Sequence, residues 1–235
     1  MINIKDFSIF INNNKLLDSL SLSIAQGEYF CLIGESGGGK TLLGKAILDV
    51  LPKNVRMSGF IECPRNQMEI ILQNPIGSMQ SNIKIGTQFH HLLKSKGMKS
   101  KVKRKEMIDN ALQSVGFKNS EEIPFKKPFE LSGGMCQRIA IAMALVSKPR
   151  IIIADEPTSA LDQQSQETVL KLLDEVCKQN KITLFFITHD LLIAQRFSTH
   201  IGVIYKGRLI ESGPTNQVLT YPKDMYTKEL IGIFE

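Results

Sequence analysis

The sequence predicts an α/β fold with a mostly parallel sheet, an antiparallel β subdomain at the N-terminus and an inserted helical subdomain. Three observations predict it. A short apolar run, Tyr29-Phe30-Cys31-Leu32-Ile33, leads straight into a glycine-rich stretch, Gly34 to Thr41, and then into Leu42, Leu43, Ala46, Ile47 and Val50 at helical spacing. That order reads strand, loop, helix. Strand and helix signals alternate again from Ser132 onward, and such alternation implies parallel strands covered by helices on both faces. Between these stretches, from residue 75 to about 130, strand signals fade and Lys, Ser and Asn dominate.

The elements follow in order. Ile2 and Ile4, Ile9 and Ile11, then Leu20, Leu22 and Ile24 alternate with polar residues, the period of half-buried strands, with a turn at Asn12-Asn13-Asn14. In the middle block, Ile108, Leu112 and Val115 share one face of a helix spanning Lys103 to Val115, and Pro124 and Pro128 break the chain after it. A helix from Ser132 to Val146, a strand from Arg150 to Ala154, an amphipathic helix from Ser165 to Gln179 (Val169, Leu172, Leu173, Val176) and a strand from Ile182 to Ile187 complete the pattern. The expectation is a single domain, 1–235, with residues 1–74 and 149–235 as its core and 75–148 as the helical insertion.

Composition narrows the class. A chain of 235 residues with 43% hydrophobic and 22% charged residues is neither disordered nor short of core. Its longest apolar runs, such as Ile151 to Ala154 and Leu184 to Ile187, fall far short of the ~20 residues of a spanning helix. Lys5, Asp6 and three asparagines stand where a secretory apolar segment would lie, so a cytosolic chain that meets the membrane through partners is expected. Cys31, Cys63, Cys136 and Cys177 lack metal-ligand spacing and read as free thiols. The net charge is 29 − 23 = +6. Lys94, Lys96, Lys99, Lys101, Lys103, Arg104 and Lys105 carry all of this excess, as a solvated face or as a patch near anionic lipid.

Two motifs carry chemistry. Gly34-Glu35-Ser36-Gly37-Gly38-Gly39-Lys40-Thr41 has the pattern G-x-x-x-x-G-K-[ST]. Its glycines let backbone N–H groups cradle phosphates, Lys40 reaches the β- and γ-phosphates, and the Thr41 hydroxyl suits Mg²⁺. Arg150 to Ala154 then ends in Asp155-Glu156. A strand-end aspartate holds Mg²⁺ through water in phosphate-loop enzymes, and Glu156 points another way and can polarise a water against the γ-phosphate. Together they define a P-loop nucleotidase and no more. A third motif, Leu131-Ser132-Gly133-Gly134-Met135, opens a helix with Ser132 as N-cap and offers a second anion-binding terminus.

At this point the sequence resembles the ABC ATPases, whose signature reads LSGGQ; Met135 departs from it. In family order, Gln73 resembles the Q-loop glutamine, Ser159-Ala160-Leu161-Asp162 the D-loop and His189 the switch histidine. The resemblance implies a RecA-like P-loop ATPase core, ATP and Mg²⁺ as ligands, and a nucleotide-binding set running from Gly34 to Leu42 (Gly34, Glu35, Ser36, Gly37, Gly38, Gly39, Lys40, Thr41, Leu42) with Gln73. It implies Mg²⁺ contacts through Thr41, Gln73 and Asp155, and catalysis by Glu156 and His189. It also implies that two such domains pack head to tail, so that Ser132, Gly133 and Gly134 serve the partner's ATP. Phe10 or Ile11 takes the adenine-stacking position. His90, His91 and His200 lack such context.

Local runs resemble the peptide/nickel importer branch, and nickel-importer ATP-binding subunits most of all: Leu51 to Arg56, Gln73-Asn74-Pro75, Pro128 to Met135 and the tail Tyr221 to Leu230. With no cysteine after Cys177, the resemblance favours nickel or a related metal chelate over oligopeptides. It implies a heterodimer with a second ATPase subunit beneath two permeases, an extracytoplasmic substrate-binding protein, no nucleic acid partner, and a peripheral location on the cytoplasmic face of the inner membrane. An oligopeptide or dipeptide importer is the alternative. An ABC ATPase acting on nucleic acid or ribosomes is a rival of another class, and a non-catalytic regulatory nucleotide binder is a further one.

Overall fold

The computed structural model describes residues 1–12, 14–117 and 121–232. Two compact units emerge, and each is described by itself. The first comprises Met1–Met68, Ile153–Glu156 and Lys181–Glu235; the second comprises Glu69–Ile152 and Pro157–Asn180.

The first unit opens with strands β1 (Ile2–Ile11) and β2 (Asn14–Ile24), which form an antiparallel pair, Ile2 opposite Ile24 and Ile4 opposite Leu22. Asn12 turns the chain at φ 47°; Asn13, the middle of the expected turn, lies outside the described residues. The alternation is not continuous. The register shifts between Ile4 and Phe7, where Asp6 takes φ 46°, and this extra residue brings Phe7 and Ile9 inward. Ile11, expected inside, is half-buried. Strands β3 (Tyr29–Ile33) and β4 (Arg56–Glu62) follow, with helix α1 (Lys40–Ile47) between them, and β4 pairs antiparallel with β1. Every residue of β3 is buried. The reason is its place between two parallel neighbours, β7 (Thr183–Ile187) and β8 (His200–Tyr205). The 153–155 end of β6 (Ile151–Asp155) flanks β7, and β9 (Arg208–Pro214) closes the other edge antiparallel to β8. Helices α7 (Leu191–Phe197), α8 (Thr215–Thr220) and α9 (Met225–Gly232) complete this unit. Helix α1 stops at Ile47, one turn before the expected Val50, which is exposed; Asp49 at φ 61° ends the helical path.

The second unit contains the remainder of β5 (Met68–Ile71) and helices α2 (Pro75–Ser78), α3 (Ile85–Ser95), α4 (Lys101–Ser114), α5 (Gly133–Val146) and α6 (Gln163–Gln179). Ser100, Ser132 and Asp162 cap α4, α5 and α6 by accepting the N–H groups of Lys103, Met135 and Ser165. Ile108, Leu112 and Val115 are buried together as expected. In α6 the inward residues are Val169, Leu170, Leu173, Val176 and Cys177, with Leu172 half-buried. Helix α3 has no counterpart in the sequence reading, although Ile85, Phe89 and Leu93 bury one face at helical spacing.

The basic run is less uniform than its sequence suggests. Arg104 is 7% exposed and donates to the carbonyls of Met98 (2.6 Å) and Lys99 (2.8 Å), so it closes the turn before α4. Lys96 pairs with Glu69 at 2.7 Å. Five exposed lysines remain.

All four cysteines are free; burial pushes the Cys177 thiol up to about 12 and Cys31 higher still. Among the described residues no helix is long and apolar enough to cross a membrane, and no cluster of three His, Cys, Asp or Glu side chains is formed.

Candidate nucleotide site

Three strand ends converge in the first unit. β3 ends at Ile33 and the chain enters the glycine loop. β6 ends in Asp155, and β7 ends two residues before His189. The carboxyl ends of parallel strands, at points where the strand order reverses, are where open α/β sheets bind ligands.

Glycine is required in the loop by geometry. Gly34 stands at φ 148°, and a Cβ there would lie 2.1 Å from the Ile204 carbonyl oxygen of β8. Gly39, at φ 102°, caps α1 and would press a Cβ against Leu17 at 2.5 Å. Lys40 folds over the loop: its Nζ donates to the carbonyls of Gly34 (2.7 Å) and Glu35 (2.8 Å). Burial pushes its pKa down, opposed by the carboxylates of Glu156, Asp155 and Glu35. Glu35, Ser36 and Gly37 are exposed; Gly38 is buried, and Gly39 and Leu42 are half-buried.

The two acids diverge. Asp155 is buried and accepts the Thr41 hydroxyl at 3.1 Å. Burial raises its pKa above the ordinary 3.8, and the Thr41 hydrogen bond pulls the other way. Glu156 takes φ 45°, a left-handed conformation uncommon for a residue with a side chain, and its N–H is held by the Ile187 carbonyl at 2.9 Å. This turn points its carboxylate away from Asp155 to Nδ1 of His189, 3.2 Å away. His189 is itself placed by its neighbours. Thr188 donates its N–H to Leu32 of β3 and accepts that of Asp190, and Asp190 caps α7 through the N–H groups of Leu192 and Ile193. Thr41 and Asp155 offer two hard oxygens at 3.1 Å, a donor set that fits Mg²⁺.

The other expected site residues belong to the second unit. Gln73 sits exposed on a bend between β5 and α2. Ser132 is the N-cap of α5 and accepts the Met135 N–H at 3.3 Å; Gly133 and Gly134 form the first turn. Asp162 caps α6, and hydrogen bonds from Ser165 lower its pKa. The two helix starts meet. A Cβ on Gly134 would lie 3.3 Å from Ser165 Oγ, and a cavity of about 240 Å³ between them is lined by Ser132, Gly134, Met135, Arg138, Ser165 and Thr168. Met135, the departure from LSGGQ, lines this cavity.

Some placements were not foreseen. Phe10 is flanked by Arg56 (5.0 Å) and Lys15 (5.6 Å), both over its ring. His90 lies against the Arg104 guanidinium, Nδ1 to Nε 3.3 Å, which opposes a cation there. Tyr226 meets the glycine loop from the chain's far end, accepting the Glu35 N–H at 3.0 Å. The tail run containing Tyr226 stood out in the sequence, but nothing in it signalled this contact.

A glycine loop between a parallel strand and a helix, faced by a divided acid pair, defines a P-loop nucleoside triphosphatase. The family model described as ABC transporter matches residues 17–159, and the chain belongs to that family. It is an ATPase whose hydrolysis is coupled to transport. The dipeptide transport ATP-binding protein DppF of Lactococcus lactis is 34% identical over 98% of this chain and 80% of its own length. The oligopeptide transport ATP-binding protein OppF of Bacillus subtilis is 35% identical over 92% of this chain and 75% of its own. Among solved structures, cbiO1 from Clostridium perfringens, part of the ABC transporter complex cbiONQ, matches with a TM-score of 0.80 and 25% identity over 94% of this chain and 90% of that one.

Proposed function

We propose that the chain is the ATP-binding subunit of an importer for short peptides. The divided acid pair carries the hydrolytic part of this reading: Asp155 joined to Thr41, and Glu156 joined to His189. The loop from Gly34 to Leu42 cradles the phosphates, with the N–H groups of Glu35 and Gly38 held inside the protein by Tyr226 and the Glu35 carbonyl, and Lys40 neutralises the phosphate charge. Glu156 takes a proton from the water that attacks the γ-phosphate, while the bond to the β-phosphate oxygen breaks and ADP leaves. His189 orients the Glu156 carboxylate and contacts the γ-phosphate. Thr41 and Asp155 would hold Mg²⁺, which when bound would offset phosphate charge. Residues 1–74 and 149–235 act as the ATPase core and 75–148 as the helical subdomain. Ser132, Gly133 and Gly134, with Asp162 in the D-loop, complete the site of a second ATPase subunit, a heterodimer in this reading. Two permeases anchor the pair at the cytoplasmic face of the inner membrane, and an extracytoplasmic protein delivers cargo.

The cargo ranking reverses the expectation from sequence. The relatives described above are named for dipeptide and oligopeptide transport, and they support peptides ahead of nickel. Uptake of a labelled dipeptide and of nickel, in cells with and without this subunit, tests the assignment. Loss of dipeptide uptake with nickel uptake retained is expected. Loss of nickel uptake alone overturns it.

A further inference from the structure

The backbone of Glu35 is the node of the glycine loop. Its carbonyl accepts Lys40 Nζ at 2.8 Å and the Gly38 N–H at 3.2 Å, so a shift of this peptide moves the lysine and the loop together. Its N–H has one destination, the hydroxyl of Tyr226 at 3.0 Å. Tyr226 is held from three directions. Its ring stacks on Tyr205 at the end of β8, centroids 4.1 Å apart. Its N–H is accepted by Asp224 at 2.8 Å. The preceding residues are tied to β9, where the Glu211 carboxylate accepts the N–H groups of Lys223 (2.9 Å) and Asp224 (3.1 Å). Tyr205 follows Ile204, whose carbonyl lies where a side chain on Gly34 would stand, so the end of β8 and the tail grip the loop at adjacent residues. Burial pushes the Tyr226 pKa above its ordinary value, so the residue stays a phenol at neutral pH.

We propose that Tyr226 is a positioning residue for the nucleotide site: by accepting the Glu35 N–H it fixes the first turn of the glycine loop in the form that receives phosphate. The inference rests on the phosphate-loop reading above. The hydroxyl stands outside the phosphate-binding run and acts through Glu35 and Lys40. The nearer alternative, a stacking contact that only stabilises the fold, is separated by the choice of variant. Tyr226→Phe keeps the ring on Tyr205 and deletes the acceptor; Tyr226→Ala deletes both.

The experiment is a calorimetric titration of the full chain with MgATP, paired with thermal melting without nucleotide. Tyr226→Phe is expected to raise Kd about three- to tenfold, the effect of losing one hydrogen bond, with the melting temperature close to wild type. Tyr226→Ala is expected to raise Kd similarly and to lower the melting temperature as well. A Tyr226→Phe Kd within twofold of wild type overturns the proposal. So does a rise in Kd accompanied by the same loss of melting temperature as Tyr226→Ala. Lys40→Ala run alongside separates the two readings. If it binds ATP normally, the phosphate-loop reading fails; if it loses ATP while Tyr226→Phe does not, only the positioning role fails.

Discussion

Replacing Gly34 by alanine tests the loop geometry, with Gly27→Ala as the control. Both glycines have positive φ, 78° at Gly27 and 148° at Gly34, but a Cβ at Gly27 meets nothing within 4 Å. Gly27→Ala therefore reports backbone strain alone, about 1 kcal/mol. At Gly34 the strain is larger, roughly 1–3 kcal/mol, because the conformation suits glycine only. The new Cβ would also lie 2.1 Å from the Ile204 carbonyl oxygen, well inside the 3.0 Å that such atoms keep. That oxygen belongs to β8, which pairs with β3 through Ile33 and Val203, so it cannot swing aside like a side-chain tip. Overpacking of this kind adds about 1–3 kcal/mol. The sum, about 2–6 kcal/mol, lowers the melting temperature by roughly 4–24 °C in a chain of this size, against about 2–4 °C for Gly27→Ala. Thermal and urea denaturation measure both. Equal melting temperatures for the two variants would refute the close approach of β8 to the loop, and with it the argument that Gly34 is required.

Other expectations follow from the same site. Lys40→Ala removes a charged donor from the loop and is expected to weaken ATP binding by about 2–3 kcal/mol, on the order of a hundredfold, in a calorimetric titration. Asp155→Asn is expected to raise the melting temperature near neutral pH while lowering Mg²⁺-dependent turnover, since it deletes a buried charge but keeps an acceptor for Thr41. The sign follows from linkage. Burial raises the folded pKa of Asp155 above its ordinary 3.8, so the folded state binds the proton more readily. This group's stability is fully present below that value and is lost as pH rises through the folded pKa. Melting curves of the two proteins are therefore expected to converge in acid and separate as pH rises.

Much of this was legible in the chain because local chemistry dictated it. Tyr29 to Ile33 reads as a buried strand, and β3 is buried on both faces between parallel neighbours. Ser132 reads as a helix cap and caps α5. Other features depend on partners distant in sequence. The bulge at Asp6 is invisible to a period-two pattern, which assumes one register throughout. Helix α3 escaped notice because Lys, Ser and Asn around it masked Ile85, Phe89 and Leu93. Arg104 reads as surface charge, yet its guanidinium is consumed by carbonyls five and six residues away. Tyr226 meets Glu35 across 191 positions, a contact that no local motif encodes.

In the proposed function, Glu156 activates the water that splits ATP. Steady-state ATP turnover of Glu156→Gln, assembled with its partner subunits, alongside its MgATP affinity, tests this most directly. Affinity within a few-fold of wild type is expected, with turnover reduced by at least about 100-fold, the lower range for loss of a general base. Turnover near the wild-type rate would contradict it.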